Sequence, residues 1–294
     1  MAGTKSQIVR SVARRAPWLF RPVVRAACSA YVRTATTPHW LVTQLKDELG
    51  VRLSHRMNID GFVIEADPLD GPGARFAKEG LTEPETREAF AELLRPAMTV
   101  LDVGAYVGQF SLVAARAMHD QGRIVAFEPM PSVFAQLERN IRANGYRSIV
   151  PMQLAISDTV GIARFYVYIG STDQSSLIPL SSGAVSMDVP VTTIDAIAAE
   201  LTGAVHLIKI DVEGNELSAL RGGRETLRLY RSALIIEISR HQRAAGYSGE
   251  QVKSFLDQYG YDVFRIAAKR TPYKPDPDEI NASVSHFNVL ALPK

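Results

Sequence analysis

The sequence predicts a mostly parallel α/β sheet with helices on both faces, and three observations predict it. From residue 99 onward, the apolar segments "TVLDVG", "RIVAFE", "IVPMQLAI", "VHLIKID" and "ALIIEI" alternate with helical stretches near 108–118, 131–144, 214–229 and 248–259. Strand–helix alternation of this kind builds parallel sheets through crossover helices. The strand segments are almost continuously apolar, as strands buried on both faces are. Finally, the first segment passes through a glycine turn directly into a helix, which is how open α/β sheets present a ligand edge.

Taken in chain order, the first 46 residues form a basic arm. No Asp or Glu precedes Asp47, whereas Lys5, Arg10, Arg14, Arg15, Arg21, Arg25, Arg33 and Lys46 do. Ile8, Val12, Leu19, Val23, Ala27 and Tyr31 recur at roughly helical spacing, in pieces separated by Pro17 and Pro22. Three readings stand: a helical arm packed on the domain or on a partner subunit of a homo-oligomer, peripheral contact with an anionic membrane, or a transit peptide. Residues 47–80 form a small strand-rich lead-in. There "VRLSHRMNIDGFVIEAD" alternates like a hairpin and "PLDGPGARFAKEG" looks like a turn-rich connector. The main domain spans 81–294. It opens with a helix in "EPETREAFAELL", capped by Thr82 with Glu85 completing a capping box. Two late segments, "YDVFRIAA" and "HFNVLALP", read as a final antiparallel pair. The insertion between "LAISD" and "VHLIKID" alternates like strands and carries a polar tip suited to covering the ligand edge.

Composition narrows the class. At 294 residues the chain can bury a full core, and 46% apolar with 22% charged residues suits a globular protein. Beyond the arm the charge is mildly acidic, so nucleic acid is not an expected partner. A single cysteine, Cys28, excludes an internal disulfide framework or a cysteine metal cluster. With no run of about 18 apolar residues and no secretory leader, the expected location is cytoplasmic.

The candidate cofactor residues lie at strand ends. In "VLDVGAYVGQFSLVAARA", residues 100–117, Gly104 and Gly108 let the backbone approach a ligand at a helix N-terminus. The G-x-x-x-G spacing lacks the fingerprint for a dinucleotide pyrophosphate. The next strand ends in Phe127–Glu128–Pro129, and an acid about 20 residues after a glycine turn can accept ribose hydroxyls. Asp158, after "LAIS", either bonds an adenine amine or serves as a turn residue. A nucleoside pocket without a pyrophosphate site favours S-adenosyl-L-methionine over NAD.

The segments "LDVGAYVGQFS", "VAFEPMPSVFAQLERNI", "LAISD" and especially "LIKIDVEGNELSALRG" resemble the FkbM-type family of S-adenosylmethionine-dependent methyltransferases, across roughly residues 80–270. The last matches the family's I-K-I-D-x-E-G-x-E signature. The resemblance implies a class I (Rossmann-like) fold with a seven-stranded sheet, and O-methylation of a hydroxyl on a small metabolite or saccharide. It departs at Tyr106, where the family often carries Asn. The expected donor-side residues are Asp102, Gly104, Ala105, Tyr106, Gly108, Glu128, Pro129, Asp158 and Asp211.

For the chemistry, Asp211 ends the fourth strand and reads as a pocket acid. Glu213 is an acceptor-orienting or helix-start acid, and Glu216 a structural carboxylate of a helix starting near Gly214. Lys209 suits an ion pair. His241 is a further candidate catalytic residue because imidazole titrates near neutrality. The sequence calls for no metal, although Asp211, Glu213 and Glu237 carry the oxygen ligands of a divalent cation if their strand ends converge. N-methyl transfer, which needs less help from a base, and a non-catalytic nucleotide-binding assembly subunit are the alternatives.

Overall fold

A computed structural model describes residues 55–66, 71–168, 172–276 and 286–294. The basic arm expected over 1–46 lies outside the described residues. Compact packing divides the chain after Thr82, with Glu83–Ile169 and Gln174–Lys294 in the larger unit. No helix among the described residues is long and apolar enough to cross a membrane.

In the smaller unit, β1 (His55–Ile59) and β2 (Phe62–Ala66) pair antiparallel around Asp60–Gly61. Both turn residues have positive φ, 51° and 80°. That is the combination a two-residue hairpin turn with native strand twist demands, and Asp-Gly supplies it. The segment expected to be a turn-rich connector instead contains α1 (Gly71–Glu79). Its Pro72 falls within the first turn, where a missing N–H costs nothing, and Phe76 is buried.

The larger unit is built on one sheet. Its helices and strands are α2 (Pro84–Leu93), β3 (Thr99–Val103), α3 (Gln109–Ala117), β4 (Arg123–Phe127), α4 (Pro131–Asn144) and β5 (Ile149–Met152). After the insertion come β9 (Leu207–Ile210), α6 (Glu216–Arg221), α7 (Arg224–Tyr230), β10 (Ala233–Ser239) and α8 (His241–Ala244). The chain ends with α9 (Gly249–Gln258), β11 (Tyr261–Arg265), β12 (Thr271–Pro272) and β13 (His286–Pro293). The sheet order is β12-β11-β13-β10-β9-β3-β4-β5. The run β5, β4, β3, β9 and β10 is parallel, and β13 enters antiparallel between β10 and β11. The sheet has eight strands rather than the expected seven, because Thr271–Pro272 adds a two-residue edge strand beside β11. Leu101, Val103, Ile208, Ile210 and Ile236 alternate into one apolar cluster with Leu217 and Leu220. Burial of each such side chain contributes roughly 1.5–3 kcal/mol.

Two expected elements divide. "IVPMQLAI" is not one strand. Pro151 is confined to an edge strand because it cannot donate to a ladder, and β5 ends at Met152. The chain then joins a second sheet, ordered β6 (Ala155–Ile156), β8 (Val185–Thr192) and β7 (Gly161–Val167), around Phe165, Val189 and Val191. The helix expected over 214–229 breaks into α6 and α7 at Gly222–Gly223. A Cβ at Gly222 would lie 2.0 Å from the Ser157 carbonyl oxygen, and one at Gly223 would press on Ile194, the first residue of α5 (Ile194–Glu200). The helix pair therefore stops where the insertion docks. The cap expected at Thr82 also moves. Pro84 takes the first helical position, so the cap residue is Glu83, at φ 54° and without a side-chain cap. Glu85 then sits one place too early to complete a box.

Because Gly222 has φ −73°, alanine there meets no backbone strain, only steric conflict with the Ser157 carbonyl and the Thr193 side chain. Gly222→Ala should cost about 3 kcal/mol, the upper range for overpacking, read by urea denaturation. A loss under about 0.5 kcal/mol, the range of neutral surface changes, would show that this junction yields freely.

Candidate active site

The strand register brings one polar stripe together on one face of the sheet. Lys209 in β9 pairs across with Asp102 of β3, and Ile210 pairs with Val103 and with Ile236 of β10. One step beyond, Asp211 lies beside Gly104 and Glu237. Residues two apart on a strand share a face, so Lys209 and Asp211 project together, and Lys209 Nζ lies 2.8 Å from Asp211 Oδ2. Lys209 is only 2% exposed. Its ammonium also sits 4.4 Å from the centroid of the Phe110 ring, within cation–π range. Burial alone would lower its pKa, but Asp211, Glu83 and Asp102 outweigh burial and hold it above the ordinary lysine value.

Around this cation the acids are anchored individually. Ser111 Oγ donates to Asp102 Oδ2 at 2.6 Å. Asn288 Nδ2 donates to Glu83 Oε2 at 2.7 Å and to Thr86 Oγ1 at 3.1 Å. Burial raises the pKa of both Asp102 and Glu83, with Lys209 opposing.

Beyond Asp211 the chain turns through Glu213, at φ 52°, and Gly214, at φ 97°. The following helix starts at Glu216 with Asn215 as its N-cap, so Glu216 is in the first turn as expected while Glu213 is a turn residue ahead of the helix. Glu216 is wholly buried and ties the turn together. Its Oε1 accepts the N–H groups of Val212 and Gly214 at 3.2 and 3.0 Å, and its Oε2 accepts from Tyr247 Oη at 2.8 Å and Gln242 Nε2 at 3.2 Å. A Cβ on Gly214 would come within 2.8 Å of the His241 carbonyl oxygen. That close approach sets Glu213 Oε2 2.5 Å from His241 Nδ1. Arg240 Nε stands 3.5 Å from the other ring nitrogen, Nε2. Asp211, Glu213 and Glu237 each place a carboxylate oxygen within 4.8 Å of the others. The insertion is fastened to the same turn, since Ser176 Oγ donates to the Val212 carbonyl at 3.2 Å and Asn215 Nδ2 to that of Ile156 at 3.0 Å.

The glycine turn adjoins this group. Gly104 has φ 85°, and a Cβ there would lie 1.8 Å from the Asp211 carbonyl oxygen. Gly108, the residue before α3, faces Leu137. Gly104 and Ala105 donate their N–H groups to the Phe127 carbonyl at 3.1 and 2.9 Å, bringing the turn against the end of β4. Glu128, 7% exposed, accepts the backbone N–H of Met130 at 2.8 Å and also that of Tyr106. Burial pushes its pKa up to about 8. Pro129 follows it, ahead of Met130, the residue that precedes α4. Asp158 stands apart: it is exposed after β6, in the second sheet, where Ser157 Oγ donates to it at 3.4 Å. The third main-sheet strand ends at Met152, so Asp158 does not mark a main-sheet strand end as expected.

Residues 102–263 match the family described as the methyltransferase FkbM domain. The chain belongs to the FkbM methyltransferase family. As a member it is an S-adenosylmethionine-dependent methyltransferase. It is similar to the methyltransferase sdnD of Sordaria araneosa, 26% identical over 205 residues that cover 59% of this chain and 77% of that one. It also resembles the 31-O-demethyl-FK506 methyltransferase FkbM of Streptomyces tacrolimicus, 33% identical over 162 residues, 44% of this chain and 60% of that protein. A third relative, methyltransferase 1 of Beauveria bassiana, is 27% identical over 143 residues, 42% of this chain and 57% of the relative. The match therefore spans under two thirds of the last two relatives.

The departure from the family pattern at Tyr106 gains a physical meaning. Tyr106 has φ 51°, a conformation Asn adopts several-fold more readily than most residues. The family's Asn thus suits the backbone of this turn, whatever else its side chain does. Glu83, Asn288 and the Gln242–Tyr247 pair were not legible as site residues. Each reaches the site from a distant element, and a short motif carries no signal of that.

The raised carboxylates of this FkbM-family enzyme set a pH dependence. Asp102, Glu128, Glu216 and Glu237 all hold protons to higher pH in the fold than in the unfolded chain, chiefly through burial. The folded state therefore binds more protons, and stability present below about pH 4 is lost as pH rises through the folded values. Scanning calorimetry of the ligand-free protein should show Tm falling from about pH 5 to the value near 8 reached by Glu128. A Tm rising across that window would contradict these assignments.

Proposed function

We propose that this chain transfers the methyl group of S-adenosyl-L-methionine to a hydroxyl of a small metabolite or saccharide. The observation that carries the reading is the Glu213–His241 pair beside Asp211, at the ends of β9 and β10 and against the glycine turn. With Nδ1 donating to Glu213, Nε2 is the basic nitrogen of His241; Arg240 Nε donates to it at 3.5 Å, a long bond that an acceptor hydroxyl would replace. A base oriented by a carboxylate suits removal of a hydroxyl proton as the acceptor oxygen attacks the methyl carbon. Asp211, fastened by Lys209, orients the acceptor. That the relative from Streptomyces tacrolimicus is named for a 31-O-demethyl substrate supports transfer to oxygen.

The donor residues fit the nucleoside. Glu128 is buried and bonded to backbone N–H groups, which leaves carboxylate lone pairs for ribose hydroxyls. Asp102 Oδ1 is buried without a partner among the described residues, and the turn Gly104–Ala105–Tyr106 with Gly108 offers close backbone. When bound, S-adenosyl-L-methionine supplies an electrophilic methyl group, and the protein's part is to position the acceptor and take the proton.

Measured at about pH 9, above the value near 8 that burial gives Glu128, Glu128→Ala should weaken binding of S-adenosylhomocysteine by about 1.5–3 kcal/mol, the value of bonds to a charged partner. Calorimetry giving wild-type affinity for a folded variant would remove Glu128 from the site. Mass spectrometry of a metabolite extract incubated with labelled donor identifies the acceptor. With that acceptor, His241→Ala should keep donor affinity and lower turnover by about 10²–10⁴. Near-normal turnover would favour a nitrogen acceptor instead.

A further inference from the structure

One buried group takes no part in donor binding or proton removal. Glu237 is 7% exposed, and its Oε2 is buried with no hydrogen-bond partner among the described residues. Its neighbours are all engaged: Asp211 by Lys209, Glu213 by His241, Glu216 by Tyr247 and Gln242, and Glu83 by Asn288. Buried acceptors are almost always satisfied, so an unpartnered carboxylate oxygen pointing into a ring of other carboxylates calls for a positive partner. Asp211, Glu213, Glu216 and Glu83 all act on Glu237 to oppose its ionisation, after burial itself. The buried ammonium of Lys209 is already shared among Asp211, Glu83 and Asp102.

We propose that Asp211, Glu213 and Glu237 hold a hard divalent cation of the magnesium, manganese or calcium class through their carboxylate oxygens. The three donors are all oxygen, the ligand type such cations take. Their mutual separations of up to 4.8 Å match two oxygens across one ion, which is about 4.2 Å for magnesium and up to roughly 5 Å for calcium. Existing bonds do not block ligation. Each carboxylate has two oxygens and about four acceptor sites, so Asp211 can keep Lys209 and Glu213 can keep His241. The His241–Glu213 contact then becomes the outer-shell bond that orients a ligand. Glu213 reaches the site from a turn, Asp211 from the end of β9 and Glu237 from within β10 just past its ladder with β9, so the ion keeps open positions for water or for an acceptor's hydroxyl oxygens. The site stands on this geometry and goes beyond the methyl-transfer reading.

The test is a titration of the full chain with manganese, followed by electron paramagnetic resonance, with magnesium and calcium as competitors. The expected result is saturable binding of one ion per chain below about 1 mM, weakened at least tenfold, or about 1.4 kcal/mol, in Glu237→Gln. Glu213→Gln serves as a second variant, since its turn is less buried and should tolerate the change. Affinity for S-adenosylhomocysteine, measured on the same samples, reads the donor site separately. Non-saturable manganese binding by folded wild-type protein would overturn the proposal. So would wild-type manganese affinity in folded Glu237→Gln and Glu213→Gln.

Discussion

The buried ammonium of Lys209 is the constraint to which the rest of the larger unit is fitted. Removing an ammonium from water costs several kcal/mol even after relaxation. That cost is offset only if acids meet it inside, and Asp211, Asp102 and Glu83 do. Lys209 lies between Ile208 and Ile210, which face the apolar cluster on the other side of the sheet. A slip of one residue in the register of β9 would turn the ammonium into that cluster and the isoleucines into the polar stripe. The register of the central strand is thus specified on both faces. With it come the alignments of Asp211 with Gly104 on one side and with Glu237 on the other.

From that alignment the site is held by close backbone approaches rather than by long side chains. The Asp211 carbonyl fills the space a Cβ of Gly104 would need, and the His241 carbonyl does the same at Gly214. Both glycines have positive φ, at 85° and 97°, so sterics and backbone conformation demand the same residue. Glu216 then bonds the turn between them on two N–H groups, and Tyr247 and Gln242 bind its other oxygen. The carboxylate of Glu216 does no chemistry in this arrangement. It fixes the turn that carries Glu213, and through Glu213 it sets the imidazole of His241.

The same arrangement stores electrostatic cost. Several carboxylates are buried together around few cations, and their pKa values rise because the charged forms are poorly solvated. Clustering of this kind at a sheet's carboxyl edge marks a place where ligands complete the charge balance. Membership of the FkbM family agrees with that place, since its match begins at Asp102 and runs to β11, taking in Asp211, Glu213, Glu216 and Glu237. The alternation of anchored and unanchored acids gives the edge its chemistry: Glu216 and Asp211 are held in place, while Glu237 keeps acceptor capacity.

The sequence by itself determined the parallel sheet, its first-to-fifth strand–helix units and the acids at their ends, because burial on both faces imposes long apolar runs and glycines mark forced turns. "IKIDVEGNE" already carried Lys209, Asp211, Glu213 and Glu216, and the family resemblance along with them. The tertiary structure decided what periodicity does not encode. Pro151 sits in a strand that ends at Met152 although the sequence reads on as apolar; an edge strand tolerates its missing donor and a central one does not. Gly222 breaks an apparently single helix, because the Ser157 carbonyl of a distant loop occupies the space of a Cβ. Glu237 reads as the end of one more apolar strand. Only the parallel register of β10 on β9 sets it beside Asp211, and only burial in the assembled unit leaves its Oε2 without a partner among the described residues. Local sequence records what a residue needs from its immediate neighbours; desolvation among acids from separate strands arises only once the chain has brought them together.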